Sequence, residues 1–323
     1  MYSIYGLSVV LPDEISNGLE PANEKADVIV LQWNLENGNI RDGASWYHQW
    51  HMPDGHMCLT AGYKKNGSYA LCFIDENLEF EISSDNKTIF YQYIDHSDSE
   101  VFRHILFTQV IPLIMNLKGI ESIHASSVLS QSGVIAFIGS SGYGKSTLAA
   151  SLIKDGLTLV SDNVVPLFEE NNKIWTSSGP GDIGLWPRVW KFLNPNAVIE
   201  DPEEKCRVVL SNKQHSKGNH LLSHIYFLYP DKESTSVQIK SISQQEGLVQ
   251  LLNSVFRLDL RDKRMLQQQL LLIHKVVQSV KMKKIIYPES IPNPAQLSNA
   301  IQADINNNSS ELNIETKLLV SCN

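Results

Sequence analysis

The sequence predicts an α/β protein with a smaller β-rich region ahead of it. Three observations carry that reading. The apolar run Gly133–Ile138 leads into a glycine-rich loop and then into Thr147–Ile153, a run with few helix breakers. That order is strand, loop, helix. Residues 1 to about 95 break into short apolar segments separated by Gly, Asn, Asp and Pro, the spacing of hairpins. Between them, Val101, Ile105, Leu106, Val110, Leu113, Ile114 and Leu117 recur at helical intervals.

In the N-terminal region the expected strands are Asp27–Trp33, Met57–Tyr63, Ser68–Ile74, Leu78–Ile82 and Thr88–Ile94. The helix from Ser99 ends at Lys118-Gly119, where a glycine can turn left-handed. The second domain starts with strands Ser122–Leu129 and Gly133–Gly139. Strands Leu157–Val160, Val164–Phe168 and Ile174–Ser177 follow the loop's helix. Gly179 to Lys217 reads as a looser stretch. Beyond it come a strand at His224–Tyr229, helices over Gln244–Phe256 and Asp262–Met282, a short strand at Lys284–Tyr287 and a helix over Pro294–Asp304. The predicted parts are 1–118, 119–305 and a polar tail, 306–323.

The chain has 323 residues, 42% hydrophobic and 19% charged, which describes an ordinary globular protein. Its net charge of −8 argues against general nucleic-acid binding. Four scattered cysteines with no C-x-x-C pair read as reduced thiols. The N-terminus carries no signal-peptide pattern and no window is long enough for a membrane span, so the expected location is cytoplasmic.

The loop is Gly139-Ser140-Ser141-Gly142-Tyr143-Gly144-Lys145-Ser146, which fits G-x-x-x-x-G-K-[ST]. Gly142 and Gly144 permit backbone angles that turn successive N–H groups inward, and the following helix adds the positive end of its dipole. Lys145 is expected to reach the β- and γ-phosphates of ATP. The Ser146 hydroxyl is a hard ligand for Mg²⁺. Thr147 completes the set of nucleotide-binding residues.

Two other groups stand at telling intervals. His124 opens His-Ala-Ser-Ser-Val fifteen residues before Gly139, and Ser161-Asp162-Asn163 ends a strand seventeen residues after Lys145 counted to Asp162. A strand end beside such a loop is where an acid can meet metal or nucleophile.

These letters and intervals resemble the catalytic domain of HPr kinase/phosphorylase, most strongly from His124 to Val165. A looser likeness to HPr-kinase-related proteins, including lasso-peptide precursor kinases, continues to about Asp304. It passes through Gly179-Pro180-Gly181-Asp182-Ile183-Gly184-Leu185-Trp186-Pro187 and Lys205-Cys206-Arg207-Val208. The resemblance implies a phosphate loop on a mixed sheet with flanking helices, and ATP-dependent phosphorylation of a serine in a protein or peptide. It maps the general base onto Asp162 and its histidine partner onto His124. HPr-type enzymes are oligomers, so it also implies a homo-oligomer.

Asp162 has a second reading, as a Mg²⁺-binding acid. Asn163 stands where the family has a second aspartate; it can offer metal an oxygen but no charge. The downstream Glu-Arg pair is absent around Ser177–Gly181, which leaves Asp182 as the nearest acid. Two alternatives to a serine kinase follow: a nucleotide-binding regulatory module without transfer, and a small-molecule kinase on the same fold. His48, His51 and His56 near Cys58 match no compact zinc module. Trp46–His51 reads as an aromatic surface or loop.

Overall fold

Strand β11 (Gly133–Ile138) shows how the sequence pattern becomes packing. Ile135 and Phe137 join one apolar cluster, with Leu148, Ala149 and Leu152. Val134, Ala136 and Ile138 join another, with Leu251, Ile273 and Val276. Both faces are covered, which is why the run is apolar throughout rather than alternating. Each buried Val, Leu, Ile or Phe among them stabilises the fold by roughly 1.5–3 kcal/mol on burial.

The coordinates are a computed structural model that describes residues 1–306 apart from 35, 37, 96–97, 200–202, 259–260 and 290–293. The polar tail lies, from 307, outside the described residues. The chain forms two compact units. One takes Met1–Ser122 together with Phe256–Gln268; the other takes Ile123–Val255 and the chain from Gln269 onward.

Among its described residues the first unit holds nine strands: β1 (Tyr2–Ile4), β2 (Leu7–Val10), β3 (Glu20–Pro21), β4 (Val28–Gln32), β5 (Ser45–His51), β6 (Met57–Tyr63), β7 (Tyr69–Phe73), β8 (Leu78–Ile82) and β9 (Thr88–Tyr93). Their order is β3-β1-β2-β4-β9-β8-β7-β6-β5. The pairs β2–β4 and β4–β9 are parallel. Trp46–His51, expected as an aromatic surface or loop, is most of edge strand β5 rather than a loop, with Trp46, Gln49 and His51 exposed, and it pairs with β6 through two register shifts. Its polar and aromatic letters hide the period-two signal, and the shifts break what remains of it.

Helices α1 (Ser99–Ile105) and α2 (Ile111–Leu117) flank a wide π-type turn, Leu106–Val110. Asp98 caps α1 by accepting from the N–H groups of Glu100 and Val101. The wide turn comes just before Pro112, whose nitrogen cannot donate to the helical ladder. Gly119 follows with φ +79°, the left-handed stop the sequence predicts.

The second unit is built on β10 (Glu121–Ser130), β11, β12 (Thr158–Ser161), β13 (Val164–Glu170), β14 (Lys173–Ser177), β17 (Asn219–Asp231), β18 (Gln238–Ser241) and β19 (Lys281–Pro288). The sheet is mixed: β11–β17 and β17–β19 run parallel, while β10–β11, β13–β14 and β18–β19 run antiparallel. β17 has 13 residues. It pairs with β14 through Asn219–Leu221 and with β11 from Leu222 onward.

Helix α3 (Lys145–Lys154) follows β11. Helices α5 (Gln244–Ser254) and α6 (Lys263–Ser279) precede β19, and a last helix spans 295–306. The stretch Gly179–Lys217 is not a plain loop. It contains β15 (Asp182–Leu185), helix α4 (Pro187–Leu193) and β16 (Cys206–Val209), with β15 and β16 forming a two-stranded sheet. Four-residue strands among Gly and Pro are too short to show a period. Among the described residues no helix is long and apolar enough to cross a membrane.

Candidate functional site

The loop from Gly139 to Gly144 joins the end of β11 to the start of α3. Gly142 and Gly144 have φ of +86° and +82°. No heavy atom stands within 4 Å of where either Cβ would be, so it is the left-handed backbone, not crowding, that calls for glycine. Gly139 has the opposite reason: a Cβ there would lie 3.2 Å from both the Tyr143 ring and Leu228. The Tyr287 hydroxyl on β19 donates to the Tyr143 carbonyl and pins the loop's crest.

Lys145 opens α3 and is buried. Its ammonium donates to the carbonyls of Gly139 (2.8 Å) and Ser140 (3.3 Å), so the charge is folded back over the loop. Burial holds its pKa below the ordinary lysine value; Asp162 opposes that shift and Lys205 adds to it. Ser141, Gly142, Tyr143, Gly144, Thr147 and Leu148 line one side of a cavity of ≈ 800 Å³.

Ser146 is the second residue of α3, and its Oγ donates to Oδ1 of Asp162 at 3.0 Å. Asp162 follows β12, which pairs with β10 opposite Ser127. The hydroxyls of Ser126 and Ser146 donate to Oδ1 of its carboxylate, and the N–H of Gly184 donates to Oδ2 at 3.1 Å. Burial pushes its pKa up, and these donors pull against that. A buried carboxylate and a hydroxyl 3.0 Å from it form a hard-oxygen pair of the kind that a divalent cation takes.

His124 is exposed on β10, and its Nδ1 lies 3.0 Å from the backbone carbonyl of Asn163. It therefore reaches the Asp162 strand end through the backbone of the next residue. Asn163 itself has φ +69°, a conformation asparagine tolerates better than most residues. This turn aims the Asn163 carbonyl at His124 and at the N–H of Ala125.

The loop residues, Lys145, Ser146, Asp162, Asn163 and His124 thus gather around the ends of β11, β12 and β10. Lys205 and Arg207 are on the β15–β16 side. Lys205 Nζ sits 5.7 Å from the Trp186 ring, and Arg207 pairs with Asp182 at 3.2 Å. In the first unit, His56 is held between Asp54 and Asp75, and the Cys58 thiol faces the Trp50 carbonyl. No group of three His, Cys, Asp or Glu side chains is placed to hold a metal among the described residues.

Sequence reasoning missed Ser126, Gly184 and Tyr287. Ser126 had a signal: it is two residues from His124 on one strand, hence on the same face. Gly184 acts through its backbone, and Tyr287 comes from a distant strand, so neither had a local signature.

No family model matches this chain, and no curated protein does. Among solved structures, the Hpr(Ser) kinase/phosphatase from Coxiella burnetii is similar. It is 18% identical, with a TM-score of 0.32, over 59% of this chain and 98% of its own.

Proposed function

We propose that the chain is an ATP-dependent kinase that transfers the γ-phosphate to a serine hydroxyl of a protein or peptide. The observation that supports it most is the 3.0 Å hydrogen bond from Ser146 to Asp162, made directly behind a left-handed glycine at the start of α3. It joins an anion cradle to a carboxylate.

The residues fit a magnesium nucleotide. Gly142, Gly144 and the first N–H groups of α3 offer donors to phosphate, and Lys145 offers a cation. Ser146 and Asp162 offer hard oxygens, with Asn163 next in sequence. Mg²⁺ there would neutralise charge on the transferred phosphoryl group. On this reading Lys145 exchanges the Gly139 and Ser140 carbonyls for phosphate oxygens. Asp162 takes the acceptor's proton once Oδ2 exchanges the Gly184 N–H for that hydroxyl. His124 steadies the turn through Asn163.

The second reading of Asp162, as a metal-side acid, is favoured by the same Ser146 contact, because the hydroxyl and carboxylate would then serve one cation. The serine acceptor rests on the sequence resemblance. The test is transfer from labelled ATP with Mg²⁺ to serine peptides, run beside a metabolite panel. Transfer to peptide serine is expected. Transfer to a metabolite alone would make it a small-molecule kinase, and ATP binding with no transfer would leave a regulatory module.

A further inference from the structure

The two edges of the first unit's sheet are built differently. β3 ends one side with Glu20 and Pro21, a charge and a residue whose nitrogen cannot donate. Edges that short and interrupted resist pairing with another chain. β5 ends the other side with seven residues, Ser-Trp-Tyr-His-Gln-Trp-His, and Lys, Arg, Asp, Glu and Pro are all missing from it. None of the seven is buried. Among the described residues no strand pairs its outer edge, and no backbone–backbone hydrogen bond from outside the β5–β6 ladder reaches His48, Gln49, Trp50 or His51. A long edge without charge or proline is a template for one more strand.

The pairing with β6 indicates which strand fits. Register shifts at Trp46/His48 and Trp50/His51 leave His48-Gln49-Trp50 as the regular stretch, opposite Ala61, Thr60 and Leu59. Side chains alternate there, so His48 and Trp50 share one face and Gln49 takes the other. The His48 and Trp50 rings meet edge to face, with centroids 3.9 Å apart, and Gln49 is exposed. Antiparallel pairing of two copies of this stretch is two-fold symmetric. Centred on Gln49, it sets Gln49 against the partner's Gln49 and His48 against the partner's Trp50. Each amide can donate to the other and accept from it. The ring pairs meet on the same face, and like charges, which oppose cross-strand pairing, are absent. This self-match favours a second copy of the chain over a foreign peptide.

We propose that two copies of this chain associate edge to edge through β5, antiparallel and centred on Gln49. β5 lies ahead of His124, outside the stretch that resembles HPr kinase, and the inference does not rest on the nucleotide reading.

The test is sedimentation equilibrium at neutral pH on the full chain and on two variants, Gln49→Lys and Gln49→Glu. The unaltered protein is expected to form a dimer with a dissociation constant of roughly 10–100 µM, the weak association that a short ladder gives. Each variant places like charges across the two-fold axis and should raise that constant at least about fivefold. Because Gln49 is exposed, both variants should keep the unaltered melting temperature. In an equimolar mixture of the two, opposite charges face each other, and association should return to within about twofold of the unaltered protein. An unaltered protein that stays monomeric at about 100 µM overturns the proposal. So does an association whose strength neither charge changes. Variants that separate and do not re-associate when mixed overturn it too, because the proposed register sets position 49 against itself.

Discussion

Ser146 Oγ donates to Asp162 Oδ1 at 3.0 Å, and the Gly184 N–H donates to Oδ2 of the same carboxylate at 3.1 Å. Both oxygens of Asp162 thus receive hydrogen bonds, and the donors Ser126, Ser146 and Gly184 are all neutral.

Asp162→Asn keeps the shape but turns one oxygen into an N–H donor. That amide meets either the Gly184 N–H or the two serine hydroxyls. The hydroxyls can rotate; the backbone N–H cannot. The variant is expected to fold, with a change in stability of roughly 1–3 kcal/mol. Transfer should fall by about a thousandfold, more than one general base is ordinarily worth at the low end of its range. Tripolyphosphate binding without Mg²⁺ should persist. Initial-rate assays and calorimetry on one preparation check this, and normal transfer by the variant would remove Asp162 from the chemistry.

The pH dependence of the same residue follows from its raised pKa, caused first by burial. The folded chain holds this proton at pH values where the unfolded chain has lost it. Its contribution to stability is therefore largest below the ordinary carboxylate range and is lost as pH rises through the raised value. Relative to the unaltered protein, Asp162→Asn should gain stability as pH climbs across that window. Activity has the opposite sign. Both roles need the carboxylate ionised, so the acid limb of the rate profile should lie above the ordinary aspartate value. If Asp162 serves the metal, more Mg²⁺ moves the limb to lower pH; if it serves only as base, the limb stays. Denaturant melts and kcat/KM profiles at two Mg²⁺ levels separate these outcomes.

Lys145→Met addresses a buried cation. Burial lowers the lysine's pKa, so the folded chain releases this proton before the unfolded chain does. The charged form costs stability below the depressed value, and stability recovers as pH rises toward the ordinary lysine range. Met keeps the stem and removes the charge. At neutral pH, without ligand, the variant should melt no lower than the unaltered protein. Its triphosphate binding should weaken by about tenfold or more, the size of a charge-assisted hydrogen bond. Equal triphosphate affinity in the two proteins would show that the ammonium stays on the Gly139 and Ser140 carbonyls.

How much of this was legible in the sequence depends on the range of each signal. β6 and β8 have the expected bounds, Met57–Tyr63 and Leu78–Ile82, because β propensity and flanking turn residues agree there. The helix from Ser99 to Leu117 was visible because its period is long. The loop was legible because its glycines and lysine stand in one short run. Short β15 and β16, hidden between Gly179 and Lys217, and the aromatic edge strand β5 were not, since their pairing partners decide them. Asp162 could be singled out by spacing. That Gly184 covers it could not, because a backbone N–H leaves no letter in the sequence.

Gly144→Ala isolates backbone strain. The residue has φ +82°, and an added methyl meets nothing within 4 Å. Its cost is therefore conformational, roughly 1–2 kcal/mol for a left-handed alanine. The change should lower the melting temperature modestly and weaken triphosphate binding more, as the N–H groups behind it turn away. An alanine variant that binds as tightly as the original would show that the left-handed turn is not what shapes the cradle.

The first unit offers a test independent of the site. Glu79 on β8 is fully buried and forms an ion pair with Arg41, whose side chain is 50% exposed. The same carboxylate helps push the Cys72 thiol up to about 12, after burial itself. Arg41→Met strips the partner from a carboxylate that water cannot reach. Breaking a buried pair from one side costs roughly 3–5 kcal/mol, and Arg41's half-exposure places the loss toward the lower figure. The double variant Arg41→Met with Glu79→Gln removes both charges and should recover more than half of that loss, since a neutral amide is far cheaper to bury. Urea melts of both variants measure this. If the double variant is no better than Arg41→Met alone, the lost stability comes from the packing of the arginine stem rather than from the abandoned charge.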